Sequence, residues 1–263
     1  MDNMDKVIEA LRSEIKLLRD ECGRTHDRQL IENLVARYQY YYAAGLGERI
    51  IDELWAHDVT TVSNEFGASG VYRGLRKVKT YYQKDIVPGR FNMHTMTTPA
   101  IEIAGDRRTA KGVWMSIGVE TDAGDLGPNP VVGYEQRMLL SSTTPDGKRF
   151  KAEWVWQKFE IDFILESTGW KIWHLHAYDV FRCPYDENWV TYAEKRFRTD
   201  GLGIDAIYTK NVPYEPDEPP ENNADMPTTT HWQYTVDAAP TLSPEPPAPY
   251  ETMDTTFTWP MMP

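Results

Sequence analysis

Trp154-Val-Trp-Gln-Lys-Phe-Glu-Ile-Asp-Phe163 and, after a short break, Gly169-Trp-Lys-Ile-Trp-His-Leu-His-Ala-Tyr178 are the stretches that decide the fold. In the first, Trp156, Lys158, Glu160 and Asp162 alternate with Gln157, Phe159, Ile161 and Phe163. In the second, Ile172, His174, His176 and Tyr178 alternate with Trp173 and Leu175. A period of two puts each set on its own face of a β-strand, and the turn residues Ser167 to Gly169 join the two as a hairpin. Working outward, Met93–Ile103, Thr109–Thr121, Val131–Leu140, Phe150–Leu165 and Trp170–Tyr178 are all rich in β-branched and aromatic residues. Gly105-Asp106, Gly124 to Pro130 and Pro145-Asp-Gly147 separate them, so the spacing predicts a long antiparallel meander. Phe150–Leu165, at 16 residues, exceeds the usual strand of about 3 to 10. It must bend or carry a bulge, as a strongly curved sheet requires.

Helical periodicity lies upstream. Val7, Leu11, Ile15 and Leu18 form one stripe, and Leu30, Ile31, Leu34, Val35, Tyr38, Tyr41 and Tyr42 form a second after Gly23, which predicts two helices. A short helix through Ile50, Ile51, Leu54 and Trp55, a strand from Val59 to Ser63 and a helix from Leu75 to Ile86, ended by Pro88-Gly89, follow. A last helix is expected over Glu187 to Phe197. A curved sheet wrapped around helices that precede it is an α+β cone with one open mouth. The expected organisation is an N-terminal helix over 1–27, the cone domain over 28–211 and a tail over 212–263.

The tail reads unlike the rest. Residues 212–263 hold 12 of the 18 prolines and nine acidic side chains with no Lys or Arg, so most of the net charge of −12 belongs there. Proline at that density excludes helix and central strand. Tyr214, Trp232, Tyr234, Tyr250, Phe257 and Trp259 are interleaved with it, whereas disordered tails are poor in aromatics. A strap packed on its own domain or on a neighbouring subunit is therefore expected, and with it a homo-oligomer, dimer or trimer, that exchanges tails.

Composition narrows the function. Neither part of the chain has the basic excess that nucleic acid needs, no apolar run reaches membrane-spanning length, and the start lacks a secretory signal, so a cytoplasmic protein is expected. Cys22 and Cys183 have no metal spacing and are expected to be free thiols. Gly201-Leu-Gly203 is no nucleotide fingerprint, and no phosphate-binding loop or nucleophile elbow occurs, so no cofactor is expected.

The order Ile31-Glu-Asn-Leu-Val-Ala-Arg-Tyr38, Ile51-Asp-Glu-Leu-Trp-Ala-His-Asp58, Tyr72-Arg-Gly74, Met93-His94, Ile101-Glu-Ile-Ala-Gly-Asp106 and Gly169-Trp-Lys-Ile-Trp-His174 resembles the SnoaL-like branch of the NTF2-like superfamily, over roughly residues 28–180. The resemblance implies an NTF2-like cone and a cofactor-free reaction in it. It makes His94, at the start of a strand, a pocket histidine able to serve as general acid or base. It gives Tyr38 the position at which bile-acid 7α-dehydratases of this branch carry a tyrosine, a hydrogen-bond donor to a reacting oxygen. Those enzymes place an aspartate five residues later, where this chain has Ala43, and a second on the strand after the histidine, near Ser116 to Glu120, where this chain has none.

The remaining candidates come from the residues themselves. His174 and His176 share a strand face and suit either acid/base work, with His176 as a third catalytic residue, or a metal with Glu160 or Asp162 as third ligand; no zinc or iron motif accompanies them, and no metal is expected. Lys158, between carboxylates, reads as a solvated ladder or as a pocket lysine that binds a phenolate or carboxylate. Tyr42 and Trp114, with His174, are candidate substrate contacts, because the aromatic surplus of Tyr38, Tyr40, Tyr41 and Tyr42 in one helix suits a pocket for a flat apolar ligand. The expected function is a cofactor-independent lyase that eliminates water or a small carbonyl fragment, such as formaldehyde, from a bulky aromatic molecule such as a lignin-derived diaryl compound. The alternatives are a dehydratase or isomerase of a steroid-like substrate, or a non-catalytic binding or assembly domain.

Overall fold

The computed structural model describes residues 2–66, 70–82, 89–123, 142–143, 149–185, 187–191, 224–226, 234–237 and 239–254. The expected strand Val131–Leu140, most of the expected helix Glu187–Phe197 and the rest of the tail lie outside them; residues 189–191 are helical, and Asn188 caps them by accepting the Thr191 N–H at 2.9 Å.

One helix, α1 (Asp2–Ala43), opens the chain where two were expected. The reason is visible in its faces. Ile31, Leu34, Val35 and Tyr38 are buried in the cone, whereas Met4, Ile8, Leu11, Ile15 and Leu18 are exposed. At about 100° per residue the two stripes lie about half a turn apart, so the helix keeps its course through Gly23 while its apolar side reverses. Gly23 itself is a packing device: a Cβ there would run into the guanidinium of Arg107, whose Nε donates to the buried Asp27 at 2.7 Å. Asp27 also accepts from the Trp170 indole N–H at 3.1 Å, which ties the middle of the helix to the sheet.

A short turn, α2 (Gly47–Arg49), runs into a π-helical turn, Ile50–Leu54, that buries Ile50, Ile51 and Leu54. Two short strands follow, β1 (Ser63–Phe66) and β2 (Gly70–Arg73), and then α3 (Leu75–Tyr82). The expected strand Val59–Ser63 is therefore displaced toward Phe66, because the polar-looking Ser63-Asn64-Glu65 pairs in parallel with the centre of the last strand and is fully buried. Burial on both sides, rather than alternation, governs such a strand.

The long strands are β3 (Phe91–Ile103), β4 (Thr109–Ala123), β6 (Arg149–Glu166) and β7 (Gly169–Pro184), with a two-residue β5 (Ser142–Thr143) beside β6. The sheet order is β2-β1-β7-β6-β4-β3. Three irregularities curve it. Against β6, the extra residues Trp173 and Val180 both belong to β7, so the bend foreseen for the 16-residue stretch is made by its partner. On the edge strand β3, Thr98 (φ 49°) and Pro99 face a single residue of β4; Pro99 has no N–H to give, and a bulge on an edge is where a strand tolerates it.

Cross-strand partners share a face, so one face is lined by Trp114 opposite Phe159 and by Leu175 opposite Ile161, and these pack on α1 and on Trp55 as the core. The tail segments that are described lie on their own chain. Met226 bridges Val71, Tyr234 N–H donates to Val180 C=O at 3.0 Å, Lys158 Nζ donates to Ser243 C=O at 2.7 Å, and Gly105 and Asp106 N–H donate to Tyr250 and Glu251. A chain ended after residue 223 is accordingly expected to melt at lower temperature, since each such bond is worth about 1 kcal/mol net. An unchanged melting curve would show that the strap adds nothing.

Candidate active site

At the end of the cone where β3 begins, the concave face turns polar. His94 lies opposite Gly118 on β4, and a Cβ at 118 would collide with the imidazole, so the glycine is the floor on which the ring lies. His94 Nε2 is 3.0 Å from Glu120 Oε1. Arg182, from β7, donates through Nη1 to Glu120 Oε2 at 3.0 Å and to Glu153 Oε1 at 2.8 Å, and through Nε to Asp179 Oδ1 at 3.3 Å. Gln157 donates to that same Asp179 oxygen at 2.7 Å. One guanidinium thus holds three carboxylates, one of which holds the histidine. The other imidazole nitrogen, Nδ1, is buried and has no hydrogen-bond partner among the described residues.

Facing this cluster is a wall of phenols. The Tyr42 ring meets His94 edge-on with centroids 6.0 Å apart and stacks on Tyr38 at 6.1 Å. The Tyr38 and Tyr82 hydroxyls are 3.1 Å apart. Burial, reinforced for Tyr38 by its phenol neighbours, pushes Tyr38, Tyr42, Tyr81 and Tyr82 well above the ordinary tyrosine range. They are therefore neutral O–H groups, able to donate to an oxygen and unable to act as phenolate bases at neutral pH. Tyr38, Gln39, Tyr42, Phe66, Tyr81, His94, Glu120, Gln157, Phe159 and Arg182 line a narrow cleft whose free volume, about 10 Å³, is room for about one water.

Of the residues singled out in the sequence, His94, Tyr38 and Tyr42 are brought together here. Trp114 lies deeper on the same face, edge-on to Phe163 at 6.0 Å, as core. Lys158, His174 and His176 belong to the opposite face. There His174 Nδ1 is 2.8 Å from Ser63 Oγ, His176 Nε2 is 3.5 Å from Glu65, and Tyr178 donates to Glu160 at 2.6 Å. Burial pushes His176 down to about 3 and lowers Lys158 as well. No group of three His, Cys, Asp or Glu side chains among the described residues is arranged to hold a metal. Glu120, Arg182, Gln157, Asp179, Tyr81 and Tyr82 were not foreseen as site residues. Glu120 stands within the span where an aspartate was sought, one methylene longer, and Arg182 and Asp179 required the β7 bulge at Val180 to be placed.

A substitution at the floor isolates the role of the histidine. Gly118→Ala is expected to displace the His94 ring, the first group that a Cβ there would meet, and to lower turnover at least tenfold while the melting temperature stays near that of the wild type; wild-type turnover in that variant would remove the ring position from the account.

A family model described as the SnoaL-like domain matches residues 23–176. Solved structures similar to the chain include a putative scytalone dehydratase from Novosphingobium aromaticivorans (10% identity, TM-score 0.44, covering 62% of this chain and 93% of that one). A putative dehydratase of the NTF2-like family from Streptomyces avermitilis is another (16%, 0.45, 60% and 99%). An NTF2-like superfamily protein from Salmonella enterica is a third (14%, 0.42, 62% and 98%). None of the curated proteins compared with the chain matches it.

Proposed function

The chain belongs to the SnoaL-like branch of the NTF2-like superfamily, and from that premise we propose that it is a cofactor-independent lyase that eliminates water or a small carbonyl fragment from an aromatic small molecule. The observation that carries the reading is the His94–Glu120–Arg182 chain set against neutral phenols inside the cone. With Nε2–H donated to Glu120, the imidazole lone pair is on Nδ1, which has no other partner among the described residues. Glu120 orients the ring and faces the positive charge that it gains on accepting a proton, as a carboxylate does for a catalytic histidine elsewhere. Arg182 in turn holds Glu120.

In an elimination of water, His94 removes a proton from carbon, the electron pair forms the new double bond, and the departing hydroxyl, hydrogen-bonded by a phenol, leaves as water with the proton returned by the imidazolium. In loss of formaldehyde, His94 takes the hydroxyl proton, the carbon–carbon bond breaks to release formaldehyde, and the electron pair left on the aromatic fragment takes that proton back from the imidazolium. Tyr42 is the phenol beside His94, and Tyr38 stands behind it, bonded to Tyr82. The cleft as it stands has a free volume of about 10 Å³, far below ligand sites of about 300–1,000 Å³, so an aromatic substrate of any size requires Tyr42 or Tyr81 to turn aside.

The same filling of the cone by Tyr38, Tyr81, Tyr82 and Trp55 favours a second reading, a non-catalytic assembly domain. A thermal-shift screen against single-ring phenols, diaryl compounds and steroid-like compounds separates the two, because a ligand of the native state raises the melting point. Hits are then incubated with the protein without added cofactor, and the products are read by mass spectrometry and formaldehyde trapping. Binding followed by loss of water or formaldehyde supports the lyase; no shift with any class supports the assembly domain.

A further inference from the structure

The exposed stripe on the first half of α1 has a finer pattern than helical amphipathicity. Met4, Ile8, Leu11, Ile15, Leu18, Cys22 and Thr25 are spaced alternately by four and three residues, which is the seam of a heptad repeat with Ile8, Ile15 and Cys22 at a and Met4, Leu11, Leu18 and Thr25 at d. Met4, Ile8, Leu11, Ile15 and Leu18 are 67%, 40%, 52%, 48% and 53% exposed, an apolar row on a helix that projects from its domain. We propose that this row is the contact with a second copy of the chain, and that residues 4–25 of two copies form a parallel two-stranded coiled coil.

Two independent features select that occupant. β-Branched Ile at a with Leu at d favours two parallel strands over three or four. Charge then fixes the direction. The g positions carry Val7, Glu14 and Glu21, and the e positions carry Asp5, Arg12, Arg19 and His26. In a parallel pair each g residue meets the e residue five places on in its neighbour, so Glu14 faces the partner's Arg19 and Glu21 faces the partner's His26. In an antiparallel pair, g meets g and e meets e, which sets Glu against Glu and Arg against Arg. The fold leaves room for the parallel form: the seam lies about half a turn from the face that Ile31, Leu34 and Tyr38 bury, so the two cones hang on the outer sides of the pair. The proposal is independent of the reaction assigned to the cone.

The position of Cys22 makes the geometry measurable. At a in register, the Cys22 thiols of the two copies face each other; in an antiparallel pair they stand about 20 Å apart along the axis. Cys183 does not compete, because it is buried and desolvation pushes its thiol up to about 11. The full-length protein is treated with a short bifunctional maleimide and run on a denaturing gel, and its mass in solution is measured beside that of Leu11→Asp/Leu18→Asp. The substituted side chains are exposed, so the cone's melting transition is retained as a check on folding. The expected results are a cross-linked dimer that Cys22→Ser abolishes, and a halved mass for the double variant. Glu14→Arg/Glu21→Arg and Arg12→Glu/Arg19→Glu are each expected to be monomeric alone and to pair when mixed. A mass unchanged in the Leu variant, a trimer, or a dimer without the Cys22 cross-link would overturn the proposal; an unchanged monomer would mean that another segment of the same chain covers the row.

Discussion

His94→Gln lowers turnover by about 10²- to 10⁴-fold, the usual contribution of a general acid or base, and leaves the melting temperature near that of the wild type. The side chain lies at the mouth end of the concave face and outside the apolar cluster that packs α1 on the sheet. Glutamine preserves a donor toward Glu120 and occupies the floor made by Gly118, so the loss reports proton transfer and not collapse of the cleft. Steady-state kinetics on the substrate found by the binding screen, with melting followed in parallel, checks both halves of the expectation.

Arg182→Met carries the largest expected effect on stability. The side chain is 15% exposed, and the carboxylates of Glu153 and Asp179 that it holds are 0% and 2% exposed. Removing one partner from a buried ionic cluster costs about 3–5 kcal/mol, because the remaining charges have lost their counterion but not their burial. The variant is expected to melt well below the wild type at neutral pH. A variant that melts like the wild type would show that the guanidinium is not what holds the cluster together. Turnover should fall as well, since Glu120 loses the group that orients it.

The cone was legible from the alternation in Trp154–Phe163 and Gly169–Tyr178, because a half-buried strand writes its faces with a period of two. The helix count was not. A stripe that disappears from one face and reappears on the opposite one reads as a break, and only the course of the chain through Gly23 shows a single helix with two different neighbours. β1 was misplaced for a related reason, since a polar strand buried on both faces has no alternation to read. For the site, His94 and Tyr38 came from the family resemblance and Tyr42 from the aromatic surplus of its helix. Lys158, His174 and His176 followed from alternation alone, which says that residues share a face but not which face is concave. The ring of Tyr42, one helical turn beyond Tyr38, is the one that meets His94 in space. Glu120 lay in the span that was searched, but an aspartate was sought there; its partnership with His94 is diagonal across β3 and β4, two residues beyond Gly118.

The central claim is that His94 and Glu120 act as one unit. Single-turnover or steady-state rates for His94→Gln, Glu120→Gln and the double variant test it most directly, because residues that act as a unit are strongly non-additive. The account predicts that each single substitution is severe and that the double variant is little slower than His94→Gln alone. A double variant whose loss is the product of the two single losses, or a His94→Gln protein that turns over at the wild-type rate, would contradict it.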